Sequence, residues 1–103
     1  RVKDMIIRGG VNIYPSEIEH ILNNHDEVLD TSVVAWPSDE RGEEVAAFVV
    51  KNNDIKEEEL ISYLKNYLAP YKIPKQIFFI DDLPKSAQGK VLKSELTKKL
   101  PKI

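Results

Sequence analysis

Glu44-Val45-Ala46-Ala47-Phe48-Val49-Val50 decides the fold. The run is apolar almost without a break, so it lacks the alternation of a strand with one wet face. It reads as a strand buried on both faces, and therefore as a central one. Before it, Val28-Leu29-Asp30-Thr31-Ser32-Val33-Val34-Ala35-Trp36 reads as a second strand, ended by Pro37. The connection from Pro37 to Glu43 is too short for a helical crossover, so the two strands should pair antiparallel. That connection is polar. Arg41 beside Gly42 suits an anionic ligand, and a solvated loop accounts for both residues more simply.

Downstream, Asn52-Asn53-Asp54 is a turn, and Asp54 with Glu57 reads as a capping box. A helix from Lys56 to Leu68 follows. Leu60, Ile61, Leu64 and Leu68 share one face, with Tyr63 and Tyr67 flanking. Pro70 and Pro74 break it and are expected to hold Tyr71, Lys72 and Lys75 in an extended run. A ring with two lysines would bind a nucleotide by stacking and charge, and a bare connector would look the same. Gln76 to Ile80 is the last strand, and Leu92 to Leu100 the last helix.

Upstream, Met5-Ile6-Ile7 and Val11-Asn12-Ile13 flank Arg8-Gly9-Gly10, the pattern of a small hairpin that must lean on something larger. Pro15 to Asn24 is a helix with Ile18, Ile21 and Leu22 inward. His20 and His25 have no third ligand near them, so they read as surface histidines and no metal site is expected. The resulting class is α+β: a small N-terminal β-hairpin (5–14) followed by a central three-stranded sheet packed with helices (15–103).

Between the last strand and the last helix lies Leu83-Pro84-Lys85-Ser86-Ala87-Gln88-Gly89-Lys90-Val91-Leu92-Lys93. Gly89 opens backbone conformations closed to other residues. Lys90 becomes a cationic arm on an exposed loop, suited to a phosphate or carboxylate that gains charge in a reaction. A solvated surface lysine fits the same spacing. A phosphate-binding P-loop does not, because Pro84 and Val91 stand where that motif needs Gly and Ser or Thr.

The bulk properties close off other classes. The 103 residues suffice for one domain with a modest core. A net charge of −2 with mixed signs argues against duplex nucleic acid as a partner. There is no cysteine, hence no disulfide or thiolate chemistry, which fits a reducing, cytoplasmic location. No apolar run approaches the roughly 20 residues of a membrane helix.

Taken together, the chain resembles the C-terminal domain of the adenylate-forming enzymes: acyl- and aryl-CoA synthetases, adenylation domains of nonribosomal peptide synthetases, and beetle luciferases. Two stretches carry the resemblance. Residues 1–19, ending Gly9-Gly10-Val11-Asn12-Ile13-Tyr14-Pro15-Ser16-Glu17-Ile18-Glu19, look like the family's hinge, glycine turn and helix start. Residues 83–91 are similar to its lysine loop. Asp39-Glu40-Arg41-Gly42-Glu43 and Tyr71-Lys72-Ile73-Pro74-Lys75 fit between them at the expected distances.

The resemblance implies a two-step reaction, most like that of an acyl-CoA synthetase acting on a fatty or related carboxylic acid. Acid and ATP give an acyl-adenylate and pyrophosphate, and coenzyme A then displaces AMP. It assigns Lys90 as the adenylation lysine and Lys3, within the linker 1–4, as the hinge. Arg1 would contact ATP, Gly9 and Gly10 would line the pantetheine channel, and Arg41, Tyr71 and Lys75 would touch the CoA nucleotide. Mg2+ is expected with ATP but not held by this domain alone. The large N-terminal domain is the expected partner, so the isolated chain should fold but turn over nothing. Two alternatives stay open: an adenylation domain that loads a carrier protein, and a free-standing α+β binding module without chemistry.

Overall fold

The computed structural model describes residues 5–39, 42–52 and 54–101. In chain order it contains β1 (Ile6–Arg8), β2 (Val11–Ile13), α1 (Pro15–Asn23), β3 (Val28–Ser38) and β4 (Gly42–Lys51). These are followed by α2 (Glu57–Lys65), a short 3-10 helix (Pro70–Lys72), β5 (Gln76–Phe79) and α3 (Lys93–Thr97). β1 and β2 form their own hairpin, and the main sheet has the order β3-β4-β5. The apolar run of β4 is central, as its composition requires. β3 pairs with it antiparallel, through Val33↔Ala47 to Ser38↔Gly42. β5 pairs with it parallel, from Ala46↔Gln76 to Val49↔Phe79, with α2 as the crossover.

Because side chains alternate across a strand, β4 feeds two cores. Val45, Ala47 and Val49 join Ile18 and Leu22 of α1, Leu60 and Leu64 of α2, and Ile6 and Ile13 of the hairpin. Ala46 and Phe48 turn to the other face and meet Val34, Trp36, Leu83 and Leu96. Phe78 stacks on Phe48 at 5.3 Å between ring centroids and meets Trp36 obliquely at 5.4 Å. The buried Trp36 Nε1 donates to the Pro101 carbonyl at 2.7 Å, which fastens the end of the described chain over the second core.

Several local expectations are corrected. β3 does not end before Pro37 but runs through it to Ser38. It is an edge strand, where a missing N–H is tolerated. The cap of α2 lies two residues later than read: Lys56 N donates to Glu59 Oε1 at 3.0 Å. Ile55 is buried, and Lys56 after it is still extended, with φ −103° and ψ 157°. Glu57 is free to accept from Ile77 N at 2.9 Å, joining the helix start to β5. α2 ends at Lys65, and a turn closed on the Leu64 carbonyl carries Leu68 into the core instead. The last helix is five residues rather than nine: it opens at Lys93, after Leu92 N has bonded the Pro84 carbonyl at 2.8 Å, and beyond Thr97 the chain continues as tight turns, with Lys99 N on the Leu96 carbonyl at 3.0 Å and Leu100 N on the Thr97 carbonyl at 3.2 Å. No helix among the described residues is long and apolar enough to cross a membrane.

Candidate functional site

The lysine stretch is a miniature hairpin. Lys85 and Val91 bridge antiparallel. Ser86 N donates to the Lys90 carbonyl at 2.8 Å, and Gly89 N to the Ser86 carbonyl at 2.9 Å. The Ser86 hydroxyl accepts from both Gln88 N and Lys90 N at 3.3 Å. Gly89 has φ +84°, a value that a side chain would make costly. Leu83 and Val91 root the two ends in the second core. Lys85 Nζ reaches Asp30 Oδ2 of β3 at 3.1 Å. The expected exposed loop is therefore a braced one.

Among the described residues, the Lys90 ammonium has no acceptor and lies in solvent. Its neighbours in the sequence reading are committed. Lys93 Nζ holds Glu19 Oε2 and the Val33 carbonyl, each at 3.0 Å. Lys72 Nζ holds Glu17 Oε1 at 2.9 Å, and that hydrogen bond raises its pKa above the usual 10.5. Lys90 is thus a cation presented on a fixed base, with its charge still to be matched.

The glycine turn is built as the sequence suggests. Gly9 and Gly10 have φ +56° and +86° between the paired Arg8 and Val11, as a type I′ hairpin turn demands. A Cβ on Gly10 would meet nothing within 4 Å, so the space above the turn is open. The sequence reading did not single out Arg8. Its Nη1 donates to the Tyr71 carbonyl at 3.1 Å and the Ile73 carbonyl at 2.8 Å, and its Nε lies 2.6 Å from Glu44 Oε1. The available signal was Glu44 itself, a charge leading into a strand buried on both faces.

Tyr71 is exposed, but it sits in the 3-10 helix rather than an extended run. Pro70 starts that turn, and Arg8 holds its carbonyls. Lys75 is exposed, with its backbone N on the Val45 carbonyl at 2.8 Å. Arg1, Lys3 and Arg41 lie outside the described residues. His20 is exposed, and His25 Nδ1 accepts from Glu27 N while its ring meets Tyr63 edge-on. Among the described residues no group of three or more His, Asp or Glu could hold a metal ion.

Arg8 brings the glycine turn and the Tyr71 segment together. Lys90 is kept apart from them. Its hairpin is rooted in the second core, whereas the β1–β2 hairpin is rooted in the first, on the opposite face of β4.

The family described as AMP-binding enzyme C-terminal domain matches residues 17–90. A 2-succinylbenzoate–CoA ligase from Bacillus mycoides is 45% identical over 95% of this chain and 20% of its own length. A long-chain-fatty-acid–CoA ligase from Yersinia pestis is 46% identical over 93% and 17%. Among solved structures, a Mycobacterium tuberculosis fatty acyl CoA synthetase superposes with TM-score 0.90 at 39% identity, covering 96% of this chain and 20% of that one. ATP-bound MatB from Rhodopseudomonas palustris gives 0.88 at 38%, covering 93% and 20%. The chain spans about a fifth of the length of the curated relatives it matches.

Proposed function

The chain belongs to the family of AMP-binding enzyme C-terminal domains, and we propose that it is the rotating lid of an AMP-forming acyl-CoA ligase. The observation that carries this reading is the placement of an unmatched Lys90 and an open glycine turn on opposite faces of one sheet. A single rigid body can then offer one or the other to a common centre.

In the first step, a carboxylate oxygen attacks the α-phosphorus of ATP, and the bond to pyrophosphate breaks. Lys90 lies between the two anions, lowers their repulsion and offsets charge growing on the phosphate. Its hairpin is braced by Ser86 and Lys85, so little reorganisation is needed. In the second step, the CoA thiol attacks the acyl carbon and AMP leaves. Gly9 and Gly10 then form one wall of a channel narrow enough for pantetheine alone. Tyr71, Lys75 and Arg41 face the CoA nucleotide, Arg1 meets ATP, and Lys3 is the pivot. The acid is a fatty or related carboxylic acid. Relatives named for 2-succinylbenzoate and for long-chain fatty acids support the carboxylic-acid class.

The test is Lys90→Ala in the full-length enzyme, with the half-reactions assayed apart. Acyl-adenylate formation should fall about a hundredfold or more, while thioester formation from preformed adenylate stays within a few-fold. If both half-reactions run at the parent rate, the assignment of Lys90 is wrong.

A further inference from the structure

We propose that Arg8 is a positioning residue for the thioester half-reaction, coupling the glycine turn to the Tyr71 segment across the start of β4. The inference rests on the function proposed above.

Neither Gly9 nor Gly10 has a side chain with which to hold itself in place. The turn stands on strands of three residues each, too short to be stable alone. Ile6 and Ile13 bury its base, and Ile7 N donates to Glu43 Oε1 at 2.8 Å. These contacts fix the foot of the hairpin. Arg8 is the last residue before the glycines, and its side chain is held close to the tip.

Its guanidinium forms an ion pair with Glu44 and hydrogen bonds to two carbonyls. Nε faces Glu44 Oε1 at 2.6 Å, and Nη1 serves the carbonyls of Tyr71 and Ile73. The Glu44 side chain is only 7% exposed, so this pair is far better shielded from water than the Lys85–Asp30 or Lys72–Glu17 pairs. The two carbonyls belong to Tyr71 and Ile73, on either side of Lys72 and more than sixty positions along the chain. One planar cation thus sets the distance between the turn and the segment read as facing the CoA nucleotide. A lysine would keep the charge but could not serve all three directions at once.

The experiment uses the full-length enzyme with Arg8→Met and Arg8→Lys, and Lys90→Ala alongside. Thioester formation from preformed adenylate should fall between about tenfold and about a hundredfold in Arg8→Met, with a raised KM for CoA. Adenylation should remain within about twofold of the parent. Arg8→Lys should show a smaller loss confined to the same half-reaction, and it decides the matter if Arg8→Met does not fold. An equal loss in both half-reactions, or none in either, overturns the positioning role. If Lys90→Ala leaves adenylation intact, the underlying function fails instead, and that result is separate from anything Arg8 does.

Discussion

Glu44 enters the central strand with a carboxylate that water barely reaches, and Arg8 makes that tolerable. Removing one partner of so shielded a pair strands the other. Glu44→Gln should therefore lower stability by about 2 to 4 kcal/mol, read as a shift of the urea midpoint at unchanged slope. Lys85→Met, which removes the cation from Asp30 and leaves the Thr31 N bond to that carboxylate intact, is a different case. Both side chains of that pair are about two-fifths exposed, so the loss should stay under about 1 kcal/mol and shrink in high salt. The sequence shows both pairs as unremarkable charges. Only the tertiary approach of residues far apart in the chain separates the one that matters.

Among the elements, α2 shows what local pattern can and cannot give. Its inward stripe of Leu60, Ile61 and Leu64 is legible from spacing. Its cap is not, because Asp54 looks like the better cap residue until the burial of Ile55 is known. Tyr63 of α2 donates to the Ile21 carbonyl at 3.1 Å, tying α2 to α1. Desolvation, with lesser repulsion from Tyr67 and Asp26, raises its pKa above the usual 10.0. A raised value means that the folded state holds the proton more tightly than the unfolded chain. That stabilisation is complete below pH 10 and is lost as pH climbs through the folded value. Tyr63→Phe should cost about 1 kcal/mol at neutral pH and flatten the alkaline fall in melting temperature. Lys72, raised by Glu17, adds to that fall in the parent and leaves a residue of it in the variant. The glycine turn gives a cleaner test. Gly10→Ala meets no atom, so its cost is backbone strain alone, about 1 to 2 kcal/mol by urea unfolding. A much larger loss would mean that the turn is packed rather than open.

The whole molecule is two thin cores back to back on one strand. Its radius of gyration of 13.0 Å matches the roughly 13 Å of a compact chain near this length. Phe48→Ala should cost about 3 to 5 kcal/mol and loosen the second core, with the lysine hairpin going first. Hydrogen exchange at Gly89 and Val91 should rise before exchange at Val11 or Ile13. The α+β class, the hairpin and the central strand were legible because each follows from a contiguous pattern. The parallel pairing of β5, the brevity of α3 and the work of Arg8 were not, because each depends on where distant residues arrive.

Trp36 is the single tryptophan of the chain, and it is sealed in the second core with its indole N–H on the Pro101 carbonyl. Its emission is therefore an optical label placed by the fold itself. Detachment of the C-terminal segment should redden and dim that emission while far-ultraviolet dichroism, dominated by the remaining helices and sheet, barely changes. Loosening at the glycine turn, rooted in the other core, should leave that emission unchanged. Fluorescence and dichroism recorded on the same sample would thus tell opening of the second core from global unfolding, without any added dye.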